Sequence, residues 1–386
     1  MTSEPGSFAR ATICERKPAI IAEVIDRSPK SSVIRPALEA LTREIEQLPI
    51  APPPDDAPLR ECWEAEYRQW EGRTWLEVPW YFAESYFYVR LLSAVGYYRG
   101  DHPDPFATQK ADLLTRCTAL LPALADTAER VACLPSGEAF AVLARRSLWG
   151  NRIDLSNLAV AERHADEHHR LEDLAPVVDD CARAFTLVQC SGRSTVVVLC
   201  DNSGPELLGD LQLVDWLLTG GIEQVGLEVK PHPFFVSDAT AREVADSLAF
   251  LRAAPSGAVS EMGQRLSEAV SDGRLVVRDH PYWCGPGHFR HLPAELEARL
   301  SDSCLVISKG DVNYRRFLED RHWPFHTPIE QAVDYFPVPV LLLRTFKGEL
   351  AAGLTKETVG QLAAADGNWL ISGRQGVAQL VLPAHS

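Results

Sequence analysis

Several signatures are missing from these 386 residues, and each absence closes off a class of protein. No stretch of about 18 apolar residues is present to span a bilayer as a helix. The first ten residues lack the apolar core of a secretory leader. The nine cysteines are odd in number and include no Cys-x-x-Cys pair, which excludes a disulfide framework and a zinc ribbon and fits a reduced compartment. There is no G-x-G-x-x-G, no P-loop and no G-x-S-x-G, hence no sequence signature of a dinucleotide fold, a Walker NTPase or a serine hydrolase. Positive charge is also scarce. Lys and Arg total 38 against 53 Asp and Glu, giving a net charge of -15 and a pI near 5.2. Such a field repels nucleic acid and anionic membranes. A soluble cytoplasmic protein is expected. Any phosphorylated ligand would need a local reversal of sign, from a metal or from converging cations.

What is present is a chain 46% hydrophobic, long enough for two domains or for one with an appendage. Up to about residue 185 the pattern is helical. Ile20, Ile21, Val24 and Ile25 share one helical face, beginning after Lys17-Pro18. Leu38, Leu41, Ile45 and Leu48 repeat the period, and the proline-rich 51–58 segment reads as a loop. The aromatics of 75–95 read as core, since aromatics give the most burial per residue. Helices continue over 113–125 and 139–149, and the charged 162–172 stretch reads as a solvated loop. From Ser194 the period changes. Short apolar runs at 196–199, 225–229, 275–277, 305–307 and 340–343 alternate with helical segments at 206–218, 239–252 and 259–271. Strands alternating with helices predict a mostly parallel sheet covered on both faces. The expectation is an α/β protein: a mainly helical region over 1–185, then a Rossmann-like three-layer α/β/α domain over 186–386.

The run Thr195-Val-Val-Val-Leu-Cys200 ends in Asp201-Asn202, and the turn Ser203-Gly204-Pro205-Glu206 then opens a helix. Ligands gather where parallel strands end. A carboxylate and a carboxamide there are hard oxygen donors suited to a Mg²⁺- or Mn²⁺-like cation, although Asp and Asn also serve as plain turn formers. Glu206 likewise suits a helix N-terminus. Asp238, past the next strand, is either an N-cap or a second acid beside Asp201. At a third strand end, Ser308-Lys-Gly-Asp-Val-Asn-Tyr-Arg-Arg316 offers Lys309, Asp311, Asn313 and Arg315 as an anion and hydroxyl clamp. At a fourth, Arg344 and Lys347 could neutralise phosphoryl oxygens.

Together these pieces resemble the damage-control phosphatase family, metal-dependent enzymes long catalogued as a domain of unknown function. The likeness is closest to its third subfamily, eukaryotic sugar-phosphate phosphatases also described as acidic-residue methyltransferases. The Asp-Asn…Gly-x-Glu strand end is similar to residues 201–206 and the Phe-Val-Ser-Asp-x-Thr context to 235–240. The Lys-Gly-Asp-x-Asn-Tyr-Arg loop is similar to 309–315 and Arg-Thr-x-Lys to 344–347. The likeness extends upstream to Ser147-Leu-Trp-Gly-Asn151 with Asp154, and more faintly to Gly6-Ser-Phe8 and Pro79-Trp80. One departure is Ser203-Gly-Pro205, where eukaryotic members carry Ala-Gly-Phe. The resemblance implies a divalent metal (Mn, Ni, Co or Mg) on Asp201, Asn202 and Asp238. It also implies a substrate site made of those three with Glu206, Asp311, Asn313, Tyr314, Arg315 and Lys347. Its substrates would be small phosphorylated metabolites, sugar phosphates such as fructose 1-phosphate.

In that scheme Asp201, Arg315 and Lys347 are the catalytic groups. The two cations neutralise phosphoryl oxygens, while either Asp201 or a metal-bound water attacks phosphorus. Two alternatives carry different chemistry: an S-adenosylmethionine-dependent carboxyl methyltransferase, and a sugar-phosphate binder without activity. His164 with His168, and His322 with His326, have helical zinc spacing. The first pair lies in a polar, acidic stretch, and Pro324 interrupts the second. Cys200 reads as a small buried hydrophobe.

Overall fold

Runs of Val and Leu form strands here because they are covered on both faces. Val196, Val197, Val198 and Leu199 are all buried, with no alternation. In the computed structural model, which describes residues 2–27, 34–150 and 173–384, seven strands form one sheet in the order β1-β7-β6-β5-β2-β3-β4. They are β1 (Val178–Asp179), β2 (Thr195–Leu199), β3 (Gln224–Val229), β4 (Leu275–Asp279), β5 (Leu305–Lys309), β6 (Val340–Thr345) and β7 (Gly376–Val381). All pairings are parallel except β6 with β7. The expected mostly parallel α/β sheet is therefore present. The five apolar runs are its strands, with β1 and β7 added at one edge.

The chain divides into two compact units. One comprises residues 1–109 with 231–236 and 280–287; the other comprises 110–230, 237–279 and 288–386. The second unit thus takes in part of the helical region, because helices from 110 onward pack on the sheet. The Ser136–Gly150 helix lies along the Pro205–Thr219 helix, and Cys181–Cys190 packs on Ser136–Gly150 and β7. In the first unit the aromatic stretch is core, as its composition predicts. Phe82 stacks on Tyr86 at 5.1 Å, and Trp63 meets Tyr86 at 5.6 Å. Ile20, Ile21 and Val24 are buried on the Lys17–Arg27 helix, which continues directly from a π-helical turn at Thr12–Arg16. Leu48 departs from its expected place. The helix ends at Gln47, so Leu48 leaves the apolar stripe and is 52% exposed. Among the described residues no helix is long and apolar enough to cross a membrane.

Candidate active site

From β2 the chain proceeds to β3 and β4 on one side, then returns to place β5 on the other. The gap above β2 and β5 is therefore the topological switch point, where ligands of open α/β sheets bind. Register fixes who meets there. Leu199 pairs with Ser308, so the residues just beyond face each other. Gly310 adopts φ +84°, and a Cβ on it would lie 1.8 Å from Asp201 Oδ2. The Asp201 carboxylate thus rests on bare backbone. Asn313 joins the same two strand ends, its Nδ2 donating to Lys309 O at 2.9 Å and Cys200 O at 3.4 Å.

The chain after β3 closes the other side. Ala239 N donates to Asp201 O at 2.8 Å, Ser203 N donates to Ser237 O at 2.7 Å, and Asn202 and Asp238 form an antiparallel bridge. Asp238 is 1% exposed. It does not cap the next helix. Thr240 does, in a capping box with Glu243. The structural reason that the sequence offers for an acid at 238 is therefore taken up elsewhere. Asn202 Oδ1 accepts from Ser237 Oγ at 2.5 Å, while its Nδ2 donates to Asp201 Oδ2 at 2.8 Å and Glu206 Oε2 at 2.9 Å.

Negative charge is in excess at this point. Asp201, Glu206, Asp210 and Asp238 are buried with two ammonium groups, Lys230 and Lys309, which leaves two negative charges in the fully ionised set. Burial, then Glu206 and Asp238, push the Asp201 carboxyl well above its usual range. Asp210 is pushed up to about 6, again by burial first, with Glu206 adding to it against Lys309. A divalent cation fits this deficit. Among the described residues no three His, Cys, Asp or Glu side chains converge as a site; the candidate set is two acids and an amide, all hard oxygen donors. The Asn202 amide nitrogen meanwhile sits between two carboxylate oxygens.

The clamp of 308–316 divides in two. Lys309 turns inward, to Ser147 O at 2.8 Å, Asp210 Oδ1 at 2.9 Å and Glu206 Oε1 at 3.1 Å, and so does not face an anion. Asp311 accepts from Arg344 Nε at 2.7 Å and Arg315 Nε at 3.0 Å. Burial would raise its pKa, but the two guanidinium groups hold it below the ordinary value. Arg344 is fully buried. It stacks on the Tyr314 ring and donates to Gly348 O and Leu350 O, which makes it a brace for the 345–352 turn rather than a phosphate ligand. The Tyr314 hydroxyl donates to Gln379 Oε1 at 3.0 Å, inside the sheet domain's core. Arg315 also donates to Asp320 at 2.7 Å and lies against Gly348, where a Cβ would stand 2.2 Å from its Nη2. Lys347, next to Gly348, is half-buried. Asp201, Gly310, Asp311 and Arg315 are thus linked in one neighbourhood, while the Lys347 side chain lies against Gly373. Asn151, Asp154, His164 and His168 lie outside the described residues. His322 and His326 are not on a helix.

A family model described as the damage-control phosphatase ARMT1-like domain matches residues 12–362. The chain belongs to this family. Damage-control phosphatase ARMT1 of Bos taurus is 30% identical over 425 residues, covering 97% of this chain and 96% of that protein. The Danio rerio protein of the same name is 28% identical over 430 residues, covering 98% and 95%. A DUF89 family protein from Pyrococcus horikoshii has a solved structure with a TM-score of 0.52 at 14% identity, covering 97% of each chain. At that identity the likeness shows the fold. Damage-control phosphatases are house-cleaning enzymes, and membership places this chain in a phosphatase family.

One residue of this neighbourhood is not singled out by the sequence, Asp210, while Ser147 and Gly150 enter only as part of the 147–151 resemblance, with no role attached. Asp210 has a signal, since it stands one helical turn after Glu206 and points the same way. Ser147 has none of its own. It arrives through a close helix crossing, in which a Cβ on Gly150 would lie 2.7 Å from Glu206 Cα and one on Gly209 would lie 3.2 Å from Ser147 Cα.

Proposed function

We propose that the protein is a metal-dependent phosphomonoester hydrolase acting on small phosphorylated metabolites, with sugar phosphates such as fructose 1-phosphate as the expected class. The observation that carries this reading is the meeting of Asp201, Asn202 and Asp238 at the switch point, tied by the Asn202–Asp238 bridge and the Ala239 N to Asp201 O bond. Their excess of buried negative charge calls for a cation, and family membership supports phosphate chemistry. The three side chains would hold one divalent ion, Mn²⁺, Ni²⁺, Co²⁺ or Mg²⁺, which supplies Lewis-acid polarisation of a phosphoryl oxygen when bound.

The residues of the chain do the rest. Arg315, which lies against Gly348, and Lys347 in the same turn would neutralise the remaining phosphoryl oxygens as charge shifts onto them in the transition state. Asp311 keeps Arg315 from swinging away, because Asp311 is itself pinned by Arg344. Asn313 holds the two strand ends at a fixed spacing. Asp201 either attacks phosphorus or orients the attacking water. In the first case the P–O bond to the sugar breaks, the sugar oxygen takes a proton from water, and a second water hydrolyses the aspartyl-phosphate. In the second the water displaces the sugar oxygen in one step, and that oxygen leaves with the proton the water gives up.

The test is phosphate release from a panel of sugar phosphates, run with each of the four metals and after chelation. Metal-dependent release that Asp201→Ala abolishes in a folded protein is expected. Release that persists in chelator, or in the Asp201→Ala variant, puts the chemistry elsewhere. Methyl transfer from S-adenosylmethionine to carboxylates without phosphate release would replace this reading with the methyltransferase alternative.

A further inference from the structure

Lys309 has three N–H bonds to give. It meets three buried acceptors: Ser147 O at 2.8 Å, Asp210 Oδ1 at 2.9 Å and Glu206 Oε1 at 3.1 Å. Its side chain is 1% exposed, so it has no donor left for a ligand. Asp210 is fixed in turn, its Oδ1 also taking the Ser147 hydroxyl at 2.5 Å. Glu206 extends the chain of contacts forward. One of its oxygens is held by Lys309, and the other accepts from Asn202 Nδ2 at 2.9 Å.

An amide has a donor end and an acceptor end, related by a half-turn of a soft terminal torsion. An ionised carboxylate only accepts. The end of Asn202 that faces Glu206 is the nitrogen, which also donates to Asp201 Oδ2 at 2.8 Å, and the carbonyl oxygen is turned away, where the Ser237 hydroxyl meets it. We propose that Ser147, Asp210 and Lys309 are a positioning device that holds the Glu206 carboxylate in place, so that Asn202 keeps its nitrogen on Glu206 and its carbonyl oxygen free to turn toward a bound cation. The proposal rests on the metal reading above and adds to it. Glu206 acts through Asn202, and the Ser136–Gly150 helix reaches Glu206 by way of Lys309 as well as through the close approach of Gly150 to its backbone. Outer groups that orient metal ligands are tied to affinity; their loss costs about 10- to 100-fold.

The test uses the full-length protein, Mn²⁺ alone as probe, and titration calorimetry beside a denaturation curve for each variant. Glu206→Gln and Asp210→Asn should each weaken Mn²⁺ binding by about tenfold or more. Asp210→Asn keeps an acceptor for the Ser147 hydroxyl, so it remains informative even where Lys309→Met fails to fold. Thr355→Ala is the control: it removes the N-cap of the Lys356–Ala365 helix, which carries none of the site residues, and should lower stability without changing affinity. Wild type binding Mn²⁺ with both variants unchanged overturns the positioning role and leaves the metal reading standing. Wild type failing to bind overturns both. A loss of affinity that Thr355→Ala shares equally marks general instability and also overturns the positioning role.

Discussion

Replacing Gly310 by alanine adds one methyl group at the point where β5 meets the Asp201 carboxylate. Two costs are involved. The first is conformational, because Gly310 sits at φ +84°. A residue with a Cβ is disfavoured in that left-handed region by about 1–2 kcal/mol. The second is spatial. The new carbon would stand 1.8 Å from Asp201 Oδ2, 2.3 Å from its Cγ and 2.8 Å from its Cβ. A rotamer change does not relieve contact with a Cβ, and the Asp201 backbone is held by Ala239 N at 2.8 Å. Overpacking of this kind costs about 1–3 kcal/mol. Gly273→Ala separates the two costs, because Gly273 has φ +81° with nothing within 4 Å of an added Cβ. Urea midpoints should place Gly310→Ala about 1–3 kcal/mol below Gly273→Ala. Phosphate release should fall by about 100-fold or more in the former, since a misplaced catalytic group costs that much. It should stay near wild type in the latter, which leaves Asp201 where it is. Equal stability in the two variants, together with retained turnover, would show that Asp201 does not lie over Gly310, and the geometry of the site would fail with it.

Other consequences can be checked more simply. Asp201→Asn should raise stability in chelator, because burial, Glu206 and Asp238 all oppose the charge that the substitution removes; a urea midpoint below wild type would contradict this. The same variant should lose metal-dependent phosphate release. His288 is lowered from 6.5 to about 4 by burial and then by Arg316, so the folded state keeps it neutral. Its contribution is complete above pH 6.5 and is lost as pH falls toward 4. The loss amounts to about 3 kcal/mol at most. Denaturation midpoints measured over that range should therefore fall less steeply for His288→Gln than for wild type, and parallel curves would refute the assignment.

Much of this is legible in the sequence because it rests on local patterns. The β-branched run 195–200 identifies a doubly covered strand, and Asp201-Asn202 at its end needs only the rule that strand ends bind ligands. That β7 escapes notice has a local reason: Gly376 and Gln379 interrupt its apolar pattern, and the Gln379 side chain is satisfied by Tyr314 and Ala352, partners distant in sequence. Lys309 and Arg344 show the limit for charges. Their positions at strand ends are plain, but their direction is not, because it depends on which buried carboxylates the fold brings near: Glu206 and Asp210 for one, Asp311 for the other. Ser147 is marked only by the 147–151 resemblance, and its role cannot be read from the chain, since it joins the network through the approach of two helices at Gly150 and Gly209.

The most direct measurement is a crystal structure of the protein grown with Mn²⁺, with the ion located by its anomalous signal. One strong peak is expected, bounded by side-chain oxygens of Asp201, Asn202 and Asp238, with Lys309 still bound to Glu206 and Asp210. A peak held instead by Asp311 or other acids, or no peak above Gly310 at saturating Mn²⁺, would contradict the proposed metal site.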